Sequence, residues 1–116
     1  LLHNNQFLYI IVLIPYQVNK GDYTMDIPRK EDFMKALKIL KQEKKEAGEV
    51  FFDLKAGDFH KMVWDYNGRN HRMQSCCLAM YDSMENNDEV IQMPDKRRWN
   101  EKTKGYGTRL IIRYYL

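Results

Sequence analysis

The chain has 116 residues, 44% of them hydrophobic and 30% charged, which fits one globular domain and is too short for two. Its net charge of +3 is unevenly distributed, since residues 93–113 carry seven Lys or Arg against two Asp or Glu. Residues 26–92 carry 11 against 13, so any polyanionic partner is expected at the C-terminal stretch. The two cysteines, Cys76 and Cys77, are adjacent, which argues against a disulfide-stapled secreted fold and favours a reducing cytoplasm.

The beginning of the chain differs from the rest, because its first 19 residues carry no charge. Phe7–Ile14 is an apolar run, but it is far shorter than the about 20 residues that span a bilayer and has no basic start, so neither a membrane span nor a signal peptide is expected. Lys20-Gly21-Asp22 can be encoded as AAA-GGA-GAT, which contains a bacterial ribosome-binding signal shortly before the Met25 codon. The sequence therefore predicts that residues 1–24 are a translated leader and that residues 25–116 form a single domain. The alternative is that Phe7–Ile14 is an added β-strand.

Three helices are predicted from the spacing of apolar residues. The first covers about 29–47, with Gly48 placed to follow its C-terminus. The second begins with Asp58 as its N-cap and ends at Asn67-Gly68, and the third covers about 70–85. The apolar faces that we expect to meet in the core are Phe33, Ala36, Leu37 and Leu40; Phe59, Met62, Val63 and Tyr66; and Met73, Cys76, Cys77, Met80, Tyr81 and Met84.

Three β-strands are predicted around these helices. Val50–Phe52 is a short β-prone run, expected at a sheet edge, and Glu89–Met93 and Thr108–Leu116 are two further strands. The segment 94–107 between the last two is polar and too long for a tight hairpin turn, and Gly105 and Gly107 are its turn residues.

The order helix, short strand, helix, tight turn, helix, strand, basic loop, strand over residues 29–116 resembles the winged helix-turn-helix fold. This is an α+β fold with a three-helix core, a short β-strand and a C-terminal β-hairpin wing. The helices joined at Gly68-Arg69 are similar to its helix-turn-helix, and 94–107 is similar to its wing. The stretch 58–72 (DFHKMVWDYNGRNHR) also resembles small uncharacterised proteins of bacterial mobile elements. The winged-helix resemblance implies that the third helix enters the DNA major groove N-terminus first, while the wing lies along the backbone or the minor groove.

The resemblance implies two sets of DNA contacts in this chain. The start of the third helix would contribute Arg69, Asn70, His71, Arg72, Gln74 and Ser75. The wing would contact the backbone through Lys96, Arg97, Arg98, Lys102, Lys104 and Arg109, with Trp99 or Tyr106 to stack or wedge. The outer side of the third helix is expected to hold few hydrogen-bond donors, so base readout would be confined to the helix start; its residues are Ser75, Leu78, Ala79 and Asp82.

The sequence predicts no metal site, no cofactor and no enzymatic activity. The candidate metal ligands lack the paired spacing of zinc sites, and both cysteines are expected to pack as buried small hydrophobes. These candidates are His60, His71, Cys76 and Cys77. No nucleophile has both a base and an orienting acid, and Gly105-Tyr106-Gly107 lacks the phosphate-loop pattern.

The function predicted from the sequence is binding of double-stranded DNA in the bacterial cytoplasm. The protein would serve as a transcription regulator or as an accessory factor of a mobile element. The alternative is a winged-helix module for protein–protein contact, in which the basic wing binds an acidic surface of a partner. The partner could also be a second copy of the chain in a homodimer.

Overall fold

The computed structural model of the protein describes residues 27–64, 72–94 and 105–116. Within them the chain is α+β, with three helices packed on one face of a three-stranded antiparallel sheet. The elements in chain order are α1 (Lys30–Glu46), β1 (Phe51–Lys55), α2 (Ala56–Val63), α3 (Met73–Asp82), β2 (Glu89–Gln92) and β3 (Ile111–Tyr115). The sheet order is β1-β3-β2, so β3 is its central strand. The predicted leader or added strand lies outside the described residues.

Helix α1 begins and ends where its sequence signals predict, within one residue at each end. The Asp32 carboxylate accepts the backbone N–H of Arg29 at 2.9 Å, which satisfies one of the donors left free at a helix start. At the other end Gly48 has a φ of 87°, a left-handed conformation that glycine adopts without steric cost. The N–H groups of Gly48 and Glu49 then donate to the carbonyls of Lys45 and Lys44, which closes the helix with a Schellman motif.

The hydrophobic core lies between the helices and the inner face of the sheet. Every second strand residue points inward, so Phe52 and Leu54 of β1 lie beside Ile112 and Tyr114 of β3. The predicted helix faces are confirmed for the residues that form the core, which are Phe33, Ala36, Leu37, Leu40, Phe59, Val63, Met73, Cys76, Cys77, Met80 and Tyr81. Two predicted core methionines are only partly buried at its edge; they are Met62 and Met84.

Helix α2 begins at Ala56, so the prediction of Asp58 as its N-cap is wrong. The reason is a pair of tertiary hydrogen bonds: the N–H of Ala56 donates to the Leu110 carbonyl at 2.8 Å, and that of Gly57 to the Thr108 carbonyl at 3.0 Å. Carbonyls distant in sequence thus satisfy the donors that a local cap would otherwise take. Asp58 lies in the first turn instead, where its charge still favours the helix dipole.

Further predicted bounds shift in α2, α3, β1 and β3. Strand β1 covers Phe51–Lys55 rather than Val50–Phe52, because it pairs with β3 as far as Ile111. Helix α2 ends at Val63 rather than near Asn67, because Trp64 has extended dihedrals of φ −149° and ψ 92°. Helix α3 covers Met73–Asp82 rather than about 70–85, since the residues before and after it, Arg72 and Ser83, lie outside the α-helical region. Strand β3 begins at Ile111 rather than Thr108, because the backbone at Thr108 and Leu110 bonds to the start of α2.

A buried hydroxyl joins the central strand to α3. Tyr114 is fully buried, and its hydroxyl donates to the Met80 carbonyl at 2.6 Å. That carbonyl lies in the last turn of α3, where the N–H of Met84 bonds to Tyr81 instead. Burial raises the pKa of Tyr114, which keeps the donating proton in place.

We expect Tyr114→Phe to lower the free energy of unfolding by about 1–2 kcal/mol, because it leaves a buried carbonyl without a donor. Urea unfolding followed by circular dichroism measures this as a lower midpoint at an unchanged slope. Tyr115→Phe is the matched control, since Tyr115 is exposed on the other face of the sheet. Equal midpoints for Tyr114→Phe and Tyr115→Phe would contradict the prediction.

Candidate nucleic-acid interface

The start of α3 presents polar side chains to solvent. Arg72 immediately precedes the helix and is exposed, Gln74 in the first turn is exposed, and Ser75 is half-buried. An arginine guanidinium can donate two hydrogen bonds to a guanine edge or a phosphate, and a glutamine amide can pair with adenine. The remaining residues predicted for this end lie outside the described residues; they are Arg69, Asn70 and His71.

A buried histidine from α2 holds the start of α3. The backbone N–H of Arg72 donates to Nε2 of His60 at 2.9 Å, so Nε2 carries no proton. The proton of the neutral ring is then on Nδ1, which donates to the Trp64 carbonyl at 3.1 Å. His60 is only 4% exposed, and its ring packs on Phe33 with the centroids 5.5 Å apart. One side chain thus connects the end of α2, the start of α3 and the core.

The remainder of the outer side of α3 offers little to a polyanion. Ala79, predicted to face solvent, is fully buried, because α3 packs against both α1 and α2. Leu78 is half-buried. The carboxylate of Asp82 forms an ion pair with Lys30 of α1, which raises the pKa of the lysine and partly neutralises the acidic end of the helix. Polar recognition by α3 is therefore confined to its first turn.

The described residues at both ends of the basic segment, residues 94–107, include a buried one. Pro94 at its start and Gly105 near its end are buried, and Arg109, two residues beyond its end, is exposed. Cys77 of α3 holds the returning end, because its Sγ lies 3.5 Å from both the N and the O of Gly107. The predicted contacts within the segment lie outside the described residues; they are Lys96, Arg97, Arg98, Lys102 and Lys104.

The histidine and cysteine side chains considered as metal ligands have other partners. Cys76 and Cys77 are free, buried thiols, as predicted. Cys76 donates to the Ala56 carbonyl at 3.7 Å. Burial raises the pKa of both thiols, that of Cys77 to about 11, so neither readily forms the thiolate that a metal requires. His60 uses both ring nitrogens on backbone groups. In the part of the chain that the structure describes, no three His, Cys, Asp or Glu side chains cluster as a metal site would require.

The outer face of the sheet carries an exposed aromatic pair that was not predicted from the sequence. Phe51 and Tyr115 lie side by side on β1 and β3 with ring centroids 5.7 Å apart, and they are 42% and 39% exposed. Arg113 stacks over Phe51 at 4.3 Å and donates to both carboxylate oxygens of Asp53 at 2.7 and 2.9 Å. Those hydrogen bonds hold the pKa of Asp53 below its ordinary value. The alternation in the FFDLK and IIRYY strands is the signal that could have found this face.

Comparison of the chain with protein-family models, with curated protein sequences and with solved structures gives no match. Among the described helices, none combines the length and the apolar character needed to cross a bilayer, the longest having 17 residues. The function is therefore inferred from the fold and from the chemistry of its surfaces.

Proposed function

We propose that this protein binds double-stranded DNA as a winged helix, with the first turn of α3 in the major groove and the basic β2–β3 segment along the backbone. The observation that carries the proposal is the arrangement of the elements. Three helices and a sheet of order β1-β3-β2, with a long basic connection between the last two strands, is the architecture that a winged helix requires.

The charge distribution supports this assignment. The connection and the strand that follows it carry most of the excess positive charge, since residues 93–113 hold seven Lys or Arg against two acids. The returning end of this segment contacts α3 through Cys77 and Gly107. The described end of the basic segment therefore contacts the helix whose first turn is polar, which supports the proposal that both contact one duplex.

The basic segment and the start of α3 are expected to make different kinds of DNA contact, because their side chains differ. Lysine and arginine side chains on a loop neutralise phosphates without reading sequence, whereas Arg72 and Gln74 at the helix start can reach base edges. Only one turn of α3 offers such donors, because the next turns hold Leu78, buried Ala79 and the paired Asp82. We therefore expect affinity dominated by the backbone, with readout limited to a short sequence.

A salt titration of duplex binding tests the proposal. Binding through several phosphates must weaken steeply as salt rises, with the slope of log K against log salt concentration near −0.9 for each phosphate contacted. Fluorescence anisotropy of a labelled random-sequence duplex at increasing KCl measures this slope. The absence of binding at low salt would contradict the proposal.

Protein–protein contact is the second candidate function, and the outer face of the sheet favours it. Exposed aromatic side chains and arginine are enriched in protein interfaces, and this face presents Phe51, Tyr115 and Arg113 together. The charges on this face are balanced, with Lys55 and Arg113 against Asp53 and Glu89, so a second copy of the chain would meet no net repulsion there. Failure to bind DNA, together with sedimentation that depends on protein concentration and is abolished by Phe51→Ser, would favour this function.

A further inference from the structure

His60 stands out among the buried polar groups, because it joins two helices that the chain connects through residues outside the described set. Its hydrogen bond to Arg72 spans 12 positions of sequence, whereas its bond to Trp64 spans four. The first bond holds the backbone of the residue that immediately precedes α3. Arg72 has no side-chain capping bond of its own, so the holding group comes from another helix.

We propose that His60 is the positioning residue of the DNA-reading turn: its Nε2 holds the backbone of Arg72 and thereby sets where the side chains of Arg72 and Gln74 meet the bases. This role rests on the proposed DNA-binding function. It requires the neutral ring with its proton on Nδ1, because only an unprotonated Nε2 can accept the Arg72 N–H.

Both backbone groups of Arg72 are held, which is what positioning requires. Its N–H bonds to His60 at 2.9 Å, and its carbonyl accepts the N–H of Cys76, also at 2.9 Å. Cys76 is fully buried and contacts the Ala56 carbonyl through its thiol. The peptide units on both sides of Arg72 are thus tied to the core, while its side chain remains exposed.

The histidine is itself held firmly enough to act as an anchor. Its ring packs on Phe33, which is fully buried and in edge-on contact with Phe59 at 5.9 Å between centroids. Close packing restricts the rotamers of side chains in such a core, so a hydrogen bond from one of them also restricts the position of its partner. A surface residue making the same bond would not restrict Arg72 in this way.

Two variants separate the bond to α3 from the bond within α2. The side-chain oxygen of His60→Gln can occupy the position of Nε2 and accept the Arg72 N–H, whereas the amide nitrogen of His60→Asn can replace only Nδ1. Amide hydrogen exchange of Arg72 should remain slow in the parent and in His60→Gln, and become fast in His60→Asn.

DNA affinity is the second measurement on these variants. For a short duplex selected by the parent from a random pool, we expect His60→Gln to bind within about threefold of the parent and His60→Asn about tenfold more weakly. The salt slope should be the same in all three, because the phosphate contacts of the basic segment do not depend on His60.

Each remaining outcome bears on one of the two proposals. Equal affinity and equal Arg72 exchange in His60→Gln and His60→Asn would overturn the positioning role while leaving DNA binding intact. A parent that binds no duplex would overturn the proposed function and the recognition role with it, even if the exchange pattern held. If His60→Asn fails to fold, the ring ¹⁵N shifts of the unaltered protein decide: a proton on Nδ1 supports the proposal, and a proton on Nε2 overturns it.

Discussion

Replacing Leu37 with Asp is expected to prevent the chain from folding. Leu37 is fully buried in α1, where it belongs to the core that α1 forms with α2 and α3. An unpaired carboxylate there would have to be desolvated or protonated at a cost of several kcal/mol, on top of the lost packing of the leucine. A domain of this size has a total stability of only about 5–15 kcal/mol, so the loss takes most or all of it.

Lys38→Asp is the matched control for Leu37→Asp. It places the same side chain one position later in the same helix, but Lys38 is exposed, so the carboxylate stays in water. Thermal unfolding by circular dichroism should show a cooperative transition for the parent and for Lys38→Asp, and none for Leu37→Asp. A cooperative transition of Leu37→Asp near the parent temperature would show that the inner face of α1 is wrongly assigned.

Neutralising two lysines of the basic segment is expected to weaken binding to every DNA sequence alike. In the double variant Lys102→Gln, Lys104→Gln, two phosphate contacts are lost, and the salt slope should become shallower by about 1.8, at about 0.9 for each contact. The variant Lys35→Gln, Lys38→Gln removes the same charge from the exposed side of α1 and should leave the slope unchanged. This control separates a local contact from an effect of net charge.

Arg72→Gln should behave differently from the lysine variants. If the start of α3 reads bases, the substitution costs about 1–3 kcal/mol on a preferred site and less on random DNA. Both kinds of variant should keep the melting temperature of the parent, since none of these side chains is in the core. Lysine variants that fold normally but bind with unchanged affinity would show that the basic segment is not the DNA contact.

Much of the helical architecture can be predicted from the sequence, because its signals are local. Apolar spacing predicts α1 to within one residue at each end, and Gly48 ends the helix in the conformation that its missing side chain allows. The same spacing predicts the buried thiols of Cys76 and Cys77. Patterns with a period of two or 3.6 residues indicate which side chains of a strand or helix are buried, whatever element packs against them.

Some features of the candidate site can also be predicted from the sequence, and others cannot. The charge of the 93–113 segment and the polar start of α3 are visible in sequence, because counting and spacing suffice to find them. The tertiary contacts that hold these residues in place cannot be found in the sequence. Nothing in the local sequence indicates that His60 accepts a hydrogen bond from the backbone N–H of Arg72, or that Asp82 forms an ion pair with Lys30.

By itself, then, the sequence determined the order and type of the regular elements, most of the apolar faces that form the core, and where positive charge collects. The tertiary structure alone decided the exact bounds of the elements and which side chains their surfaces expose. Helix α2 starts at Ala56 because the carbonyls of Thr108 and Leu110 accept hydrogen bonds from its first N–H groups. Ala79 is buried because α3 packs against two other helices. It also placed Phe51 beside Tyr115. These outcomes rest on hydrogen bonds and contacts between residues far apart in the chain, and sequence periodicity carries no information about such pairs.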